Sequence, residues 1–178
     1  KSTLMKMIMG ILKPDEGNIT IGDTVKIGYF AQENEDMTGD IRVIDYIKNV
    51  ASSEIYATWP DAAIRANVLA IMSFTLNRVY TEWYRGKGYN FTITSSTAYD
   101  HKFIYGRNYF QSISRVVDEM FENYLSRPNV RQPILTQYCD GQRVTCPNWM
   151  SQWGSKYLGD QGYSAIDILR NYYGNDMY

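Results

Sequence analysis

The chain has 178 residues, with 18 Lys and Arg against 19 Asp and Glu and a formal net charge of −1. That length holds one ordinary domain or two small ones, and the even balance of charge excludes a basic nucleic-acid-binding tail or a polybasic membrane patch. No apolar run is long enough to span a bilayer. No signal peptide opens the chain, which begins Lys1-Ser2-Thr3 and is expected to be truncated there.

Leu4, Met7, Ile8 and Ile11 recur at helical spacing and predict a helix over 1–12. Pro14-Asp15-Glu16-Gly17 is a turn signal, and short strands are expected over 18–21 and 25–30, around a turn at Gly22-Asp23. A short helix follows over 41–50. Up to Val50 the only aromatics are Tyr29, Phe30 and Tyr46, whereas Trp59, Trp83, Trp149 and Trp153 all follow Glu54. This shift predicts two segments of different origin that meet near residue 51.

Pro60 suits a first helical turn, with Thr58 as its N-cap. A long helix is expected over 61–84, with Ile64, Val68, Ile71, Met72, Leu76 and Val79 as its apolar stripe. Arg85-Gly86-Lys87-Gly88 should stop it. The stretch 90–94 alternates like a strand. A second amphipathic helix is expected over 110–125, burying Ile113, Val116, Val117, Met120, Phe121 and Tyr124. A strand over 134–138 is paired with 144–145 as a hairpin across Asp140-Gly141. A helix over 154–161 comes next. Ser164 then caps a last helix over 165–172, with Asp167 as its capping-box partner.

Two sets of motifs carry chemistry. Lys1-Ser2 matches the end of a P-loop, where the Lys reaches the β- and γ-phosphates and the hydroxyl binds Mg²⁺. The run KSTLMKMIMGILKPDEGNITIGDTVKIGYFAQ, continued by RVIDYIKNVA at 42–51, resembles the second cassette of the ABC-F, translation-factor-like ATPases. The resemblance implies an ATP-binding remnant of Lys1, Ser2, Thr3 and the Q-loop Gln32. The glycine cradle, the LSGGE signature, the Walker B acids and the switch His have no counterpart in this sequence. ATP and Mg²⁺ are therefore expected as cofactors only of a completed P-loop, and ATPase activity is not expected. The alternative for this segment is a packing remnant.

The second set is Glu54-Ile55-Tyr56-Ala57-Thr58-Trp59-Pro60 leading into Ala63-Ile64-Arg65-Ala66-Asn67, then Met150-Ser151-Gln152-Trp153-Gly154, Gln161-Gly162-Tyr163, Ile168-Leu169 and Tyr172-Tyr173-Gly174. In order and spacing these resemble the stage II sporulation protein D family (SpoIID/LytB-like), with Trp153 in place of the usual Tyr. The resemblance implies a peptidoglycan lytic transglycosylase, with glycan strands as partner and no cofactor. One carboxyl group suffices for that reaction. It protonates the glycosidic oxygen, then takes the proton of the sugar's own 6-hydroxyl as the ring closes, so the second acid of common glycosidases is not required.

Glu54 matches the family's catalytic glutamate, with Tyr56 and Trp59 as an apolar wall that would raise its pKa. Ser151, Gln152 and Gly154 match the residues expected at the sugar. The alternatives are a solvated Glu54 before a helix, a helix N-cap for Ser151 and a surface Gln152. Met72 stands where the family often has an Arg, so either Arg78 substitutes or activity is impaired.

Cys139 and Cys146 are open to a disulfide, to zinc as in some family members, or to free thiols. His101 is the only His, so a full Cys/His zinc site is not expected.

The expected fold is therefore α+β. An incomplete α/β P-loop fragment at 1–51 precedes a domain at 52–178 with a long helix packed on a small antiparallel sheet. By resemblance the first segment belongs in the cytoplasm and the second outside it, at the cell wall or sporulation septum. That conflict raises a third alternative, a non-functional join of two gene fragments. More chain is expected beyond Tyr178.

Overall fold

A computed structural model describes Leu4, Met7, Ile8, residues 12–22 and residues 41–178. The chain divides into two compact units, Lys1–Glu35 and Asp36–Tyr178. In the first, Leu4, Met7 and Ile8 are helical and the backbone bends at 15–17, where Gly17 takes φ +83°. Residues 18–21 form no strand among the described residues. The strand expected over 25–30 lies outside them, as do Lys1, Ser2, Thr3 and Gln32.

The second unit is built around one helix. Helix α1 spans Val43–Glu54, α2 Asp61–Tyr80, α3 Gln111–Met120, α4 Gln152–Asp160 and α5 Ala165–Tyr173. Strand β1 is Tyr138–Cys139 and β2 is Met150–Ser151. Helix α2 packs against all four other helices, so its middle is buried on every side rather than along one stripe. Ala63, Ala66 and Ala70 let neighbours approach, while Val68, Ile71 and Met72 fill the centre with no exposure.

The buried polar residues of α2 bind loops. Ser73 Oγ accepts from Leu125 N–H at 2.8 Å, Asn77 Nδ2 donates to the Pro133 carbonyl at 2.7 Å, and Thr136 Oγ1 donates to the Ala70 carbonyl at 2.6 Å. The first two bonds satisfy backbone groups of a segment without a ladder of its own, and the third ties a loop hydroxyl to the helix backbone.

Helix α1 runs unbroken through the composition change near residue 51. Tyr46, Ile47, Val50 and Ala51 join the same core as Ile64, Ile71, Ile113 and Met150.

Several expected elements are corrected. Helix α2 begins after Pro60 with no side-chain cap, so Thr58 does not cap it, and it ends at Tyr80 rather than 84. Glu82 takes φ +47°, which is not helical. Residues 90–94 form no strand; Thr94 N–H and hydroxyl both turn to the Asp100 carboxylate at 2.8 Å. Helix α3 stops at Met120, leaving Tyr124 outside it and exposed.

The sheet is parallel, not antiparallel: Tyr138 faces Met150 and Cys139 faces Ser151. The hairpin to 144–145 does not form because Asp140 Oδ1 accepts the N–H groups of Gln142, Arg143 and Val144. That tight turn uses the groups a hairpin ladder needs. The Cys139–Cys146 disulfide closes the turn, and the chain runs on to pair at Met150 in the same direction as β1.

Candidate functional site

Glu54 is the last residue of α1. As that last residue it lies at the negative end of the helix macrodipole. The next residues, Ile55 to Trp59, leave the helix, so Glu54 sits at a corner and stays half-buried instead of sinking into the core. Three donors converge on it. The Lys102 N–H reaches Oε1 at 2.7 Å, the Tyr138 hydroxyl reaches Oε2 at 2.6 Å, and Gln152 Nε2 reaches Oε2 at 3.3 Å.

Each donor is held by a different device. Lys102 belongs to a loop segment docked on α1. Asn49, one turn before Glu54 on the helix, donates to the Ile104 carbonyl at 2.7 Å and accepts from its N–H at 2.9 Å. At the other end of this segment Asp100 accepts from Arg78 Nε at 2.9 Å, the Tyr84 hydroxyl at 2.6 Å and Thr94. Tyr138 is fixed by β1 and by the disulfide at the next residue. Gln152 opens α4, which Ser151 caps by accepting from the Gly154 N–H at 2.8 Å.

Burial raises the Glu54 carboxyl above its ordinary range; the three hydrogen bonds and the Lys102 charge pull it back only in part. Burial, with Glu54's charge beside it, drives the Tyr138 phenol well above its ordinary value, so it stays protonated as a donor. An aromatic cluster adjoins these residues in sequence. Tyr56 and Trp153 have ring centroids 5.7 Å apart, and Trp59 packs on both at 5.6 and 5.2 Å. Trp59 is buried, while Tyr56 is exposed.

The sequence-derived residues therefore divide. Glu54 and Gln152 are brought into contact. Ser151 stands one residue away as a helix cap. Gly154 is needed for space, since a Cβ there would lie 2.3 Å from the Tyr172 hydroxyl oxygen. Gly141, at φ +74°, is under the same constraint against Ser151 Oγ, at 1.8 Å.

Met72 is wholly buried in the core. Arg78 is committed to Asp100 and lies over the rings of Phe74, Trp83 and Tyr84, and it is not among the donors to Glu54. Cys139 and Cys146 are bonded to each other. Tyr138, Lys102 and His101 were not singled out as site residues from sequence. Two of them touch Glu54 only through tertiary structure, and the sole advance signal was that His101 is the one His. A shallow hollow lined by Tyr109, Gln111, Ser114, Arg115, Asp118 and Glu119 does not include Glu54.

No helix among the described residues is long and apolar enough to cross a membrane. No protein-family model matches the chain, and no solved structure matches it significantly. Short stretches are similar to ATP-binding proteins. The chain is 51% identical over 51 residues to the "Uncharacterized ABC transporter ATP-binding protein YfmR" of Bacillus subtilis, a match covering 29% of this chain and 8% of that protein. It is 47% identical over 45 residues to the "Putative ATP-binding protein YdiF" of the same organism, covering 25% and 7%. A third match is the "Probable ATP-binding protein YbiT" of Escherichia coli O157:H7, 38% identical over 48 residues, covering 26% and 9%. The chain thus spans only a small part of the length of these relatives.

Proposed function

We propose that residues 52–178 cleave peptidoglycan glycan strands as a single-glutamate lytic transglycosylase, with Glu54 as the acid and then the base. The observation that supports this most is the setting of Glu54. Its carboxyl is raised by burial and held by three donors on a half-buried residue, with Tyr56 two residues on and Trp153 next to its donor Gln152. A protonated carboxyl donates its proton to the glycosidic oxygen. The resulting carboxylate, stabilised by Tyr138, Gln152 and the Lys102 N–H, then accepts the proton of the sugar's 6-hydroxyl as that oxygen closes on the anomeric carbon. Exposed Tyr56 and half-buried Trp153 suit the apolar faces of sugar rings. The disulfide fits the extracytoplasmic setting proposed for this part.

Purified glycan strands incubated with the chain should give anhydro-muropeptides by mass spectrometry. Glu54→Gln should lower their formation by about 10²–10⁴-fold. A silent wild type, or an equally active variant, rejects the reading.

A second reading concerns the N-terminal segment, where the partial matches favour descent from an ABC ATP-binding protein. We propose that Lys1, Ser2, Thr3 and Gln32 are remnants of that nucleotide site, without ATPase activity in this chain. Mg-ATP should leave the melting temperature unchanged, and a saturable rise would reject this. Whether the chain joins two gene fragments is decided by a genomic read across codons 40 to 65.

A further inference from the structure

We infer that His101 is a positioning residue that holds two of the three Glu54 donors in place; this rests on Glu54 being the acid of the reaction. His101 has no exposed surface and immediately precedes Lys102, whose N–H binds Oε1. Its ring also stacks on Tyr138, whose hydroxyl binds Oε2, with planes 12° apart and centroids at 5.7 Å. One side chain therefore supports donors on both oxygens of the same carboxylate, from two separate parts of the chain.

The imidazole is in turn clamped. It shares a 3.1 Å hydrogen bond with the Tyr46 hydroxyl through Nδ1 and meets Phe74 at a centroid distance of 4.6 Å. Tyr46 is on α1, the helix that ends in Glu54, so the contacts close a loop: α1, Tyr46, His101, Tyr138 and back to Glu54.

His101 acts through shape rather than proton transfer. Burial pushes its pKa down to about 3, so the ring is neutral whenever Glu54 is charged in the neutral range. Nε2 has no hydrogen-bond partner among the described residues. The titratable groups that face Glu54 are Tyr46 on its own helix, Lys102 on the docked segment and Tyr138 on β1.

The test compares His101→Phe, which keeps a flat ring, with His101→Met, which keeps the volume without it. The first readout is the Lys102 amide proton, followed by NMR as pH is raised through the Glu54 titration, which is identified by its loss in Glu54→Gln. In the wild type and His101→Phe this amide should shift with Glu54; in His101→Met the coupling should vanish. The second readout is turnover. His101→Met should lower kcat by about 10²-fold with KM little changed, and His101→Phe should recover to within about tenfold of wild type.

A coupling that survives in His101→Met overturns the inference, as does a His101→Phe variant as impaired as His101→Met. Should His101→Met fail to fold, His101→Phe alone still decides, because loss of coupling there overturns the ring-support role. A wild type that cuts no glycan defeats the enzymatic reading, while the amide readout still reports on the positioning role.

Discussion

The Tyr138 hydroxyl donates to Glu54 Oε2 at 2.6 Å across 84 positions of sequence, tying the end of α1 to the strand beside the disulfide. Tyr138→Phe removes this donor and keeps the ring on His101. Because the bond favours the carboxylate, its loss should move the Glu54 titration upward. The alkaline limb of the pH–rate profile, set by Glu54 because it must start protonated, should move upward with it. Carboxyl-labelled NMR checks the direction, and an unmoved titration would show the bond to be absent in solution.

Glu54 should be a stability liability at neutral pH. Its folded pKa is raised, so the folded state binds a proton more tightly than the unfolded chain does. The benefit is complete below the unfolded value, about 4.3, and is lost as pH rises through the folded value. Glu54→Gln removes the charge, and its amide still accepts from the Lys102 N–H. The variant should therefore melt higher than wild type at pH 7, with the difference shrinking toward pH 4. Melting curves at both values test this, and equal differences would count against it.

The Cys139–Cys146 bond closes a small loop directly after Tyr138. Replacing both by Ser should destabilise the second unit by about 2–3 kcal/mol on the chain-entropy account. It should also weaken glycan cleavage, since β1 carries one of the three Glu54 donors and β2 leads into a second. Urea unfolding in parallel with the cleavage assay checks both. Full activity at normal stability would show that the bond does not support the site.

The Arg78–Asp100 pair lies at the base of the segment that carries Lys102, with the Asp100 side chain fully buried. Asp100→Ala strands the guanidinium and leaves Tyr84 and Thr94 without their acceptor. A loss of about 3–5 kcal/mol is expected from breaking a buried pair on one side. By the same logic Met72→Arg buries an unpaired charge in the core and should abolish cooperative unfolding rather than restore activity. A folded, active Met72→Arg protein would show that the arginine finds a partner.

Much of the second unit was legible in local pattern. The helix at 61–80 (though not a single apolar stripe, since Val79 is exposed), the Ser164–Asp167 cap (3.3 Å from N–H to Oγ) and the buried Ile113, Val116 and Val117 follow from residues near one another in sequence. Helix ends and strand partners were less legible, because they depend on competing acceptors. Asp140 captured the N–H groups a hairpin would have used, and Asp100 captured Thr94. For Ser151 the helix-cap alternative is what the structure shows, while Gln152, one residue on, turns to Glu54.

The sequence by itself determined which residue types could do chemistry and where composition changes. Glu54, Gln152, the two cysteines and the stretch resembling ATP-binding proteins were all visible in it. Tertiary structure decided what surrounds Glu54. Tyr138, Lys102 and His101 lie 47 to 84 positions away from it in sequence, and only the packing of α1 against the segment at 100–104 and the β1–β2 pair brings them together. The physical reason is range: periodicity and caps are set within a few residues. A carboxylate's solvation is set instead by whichever distant groups the core places around it.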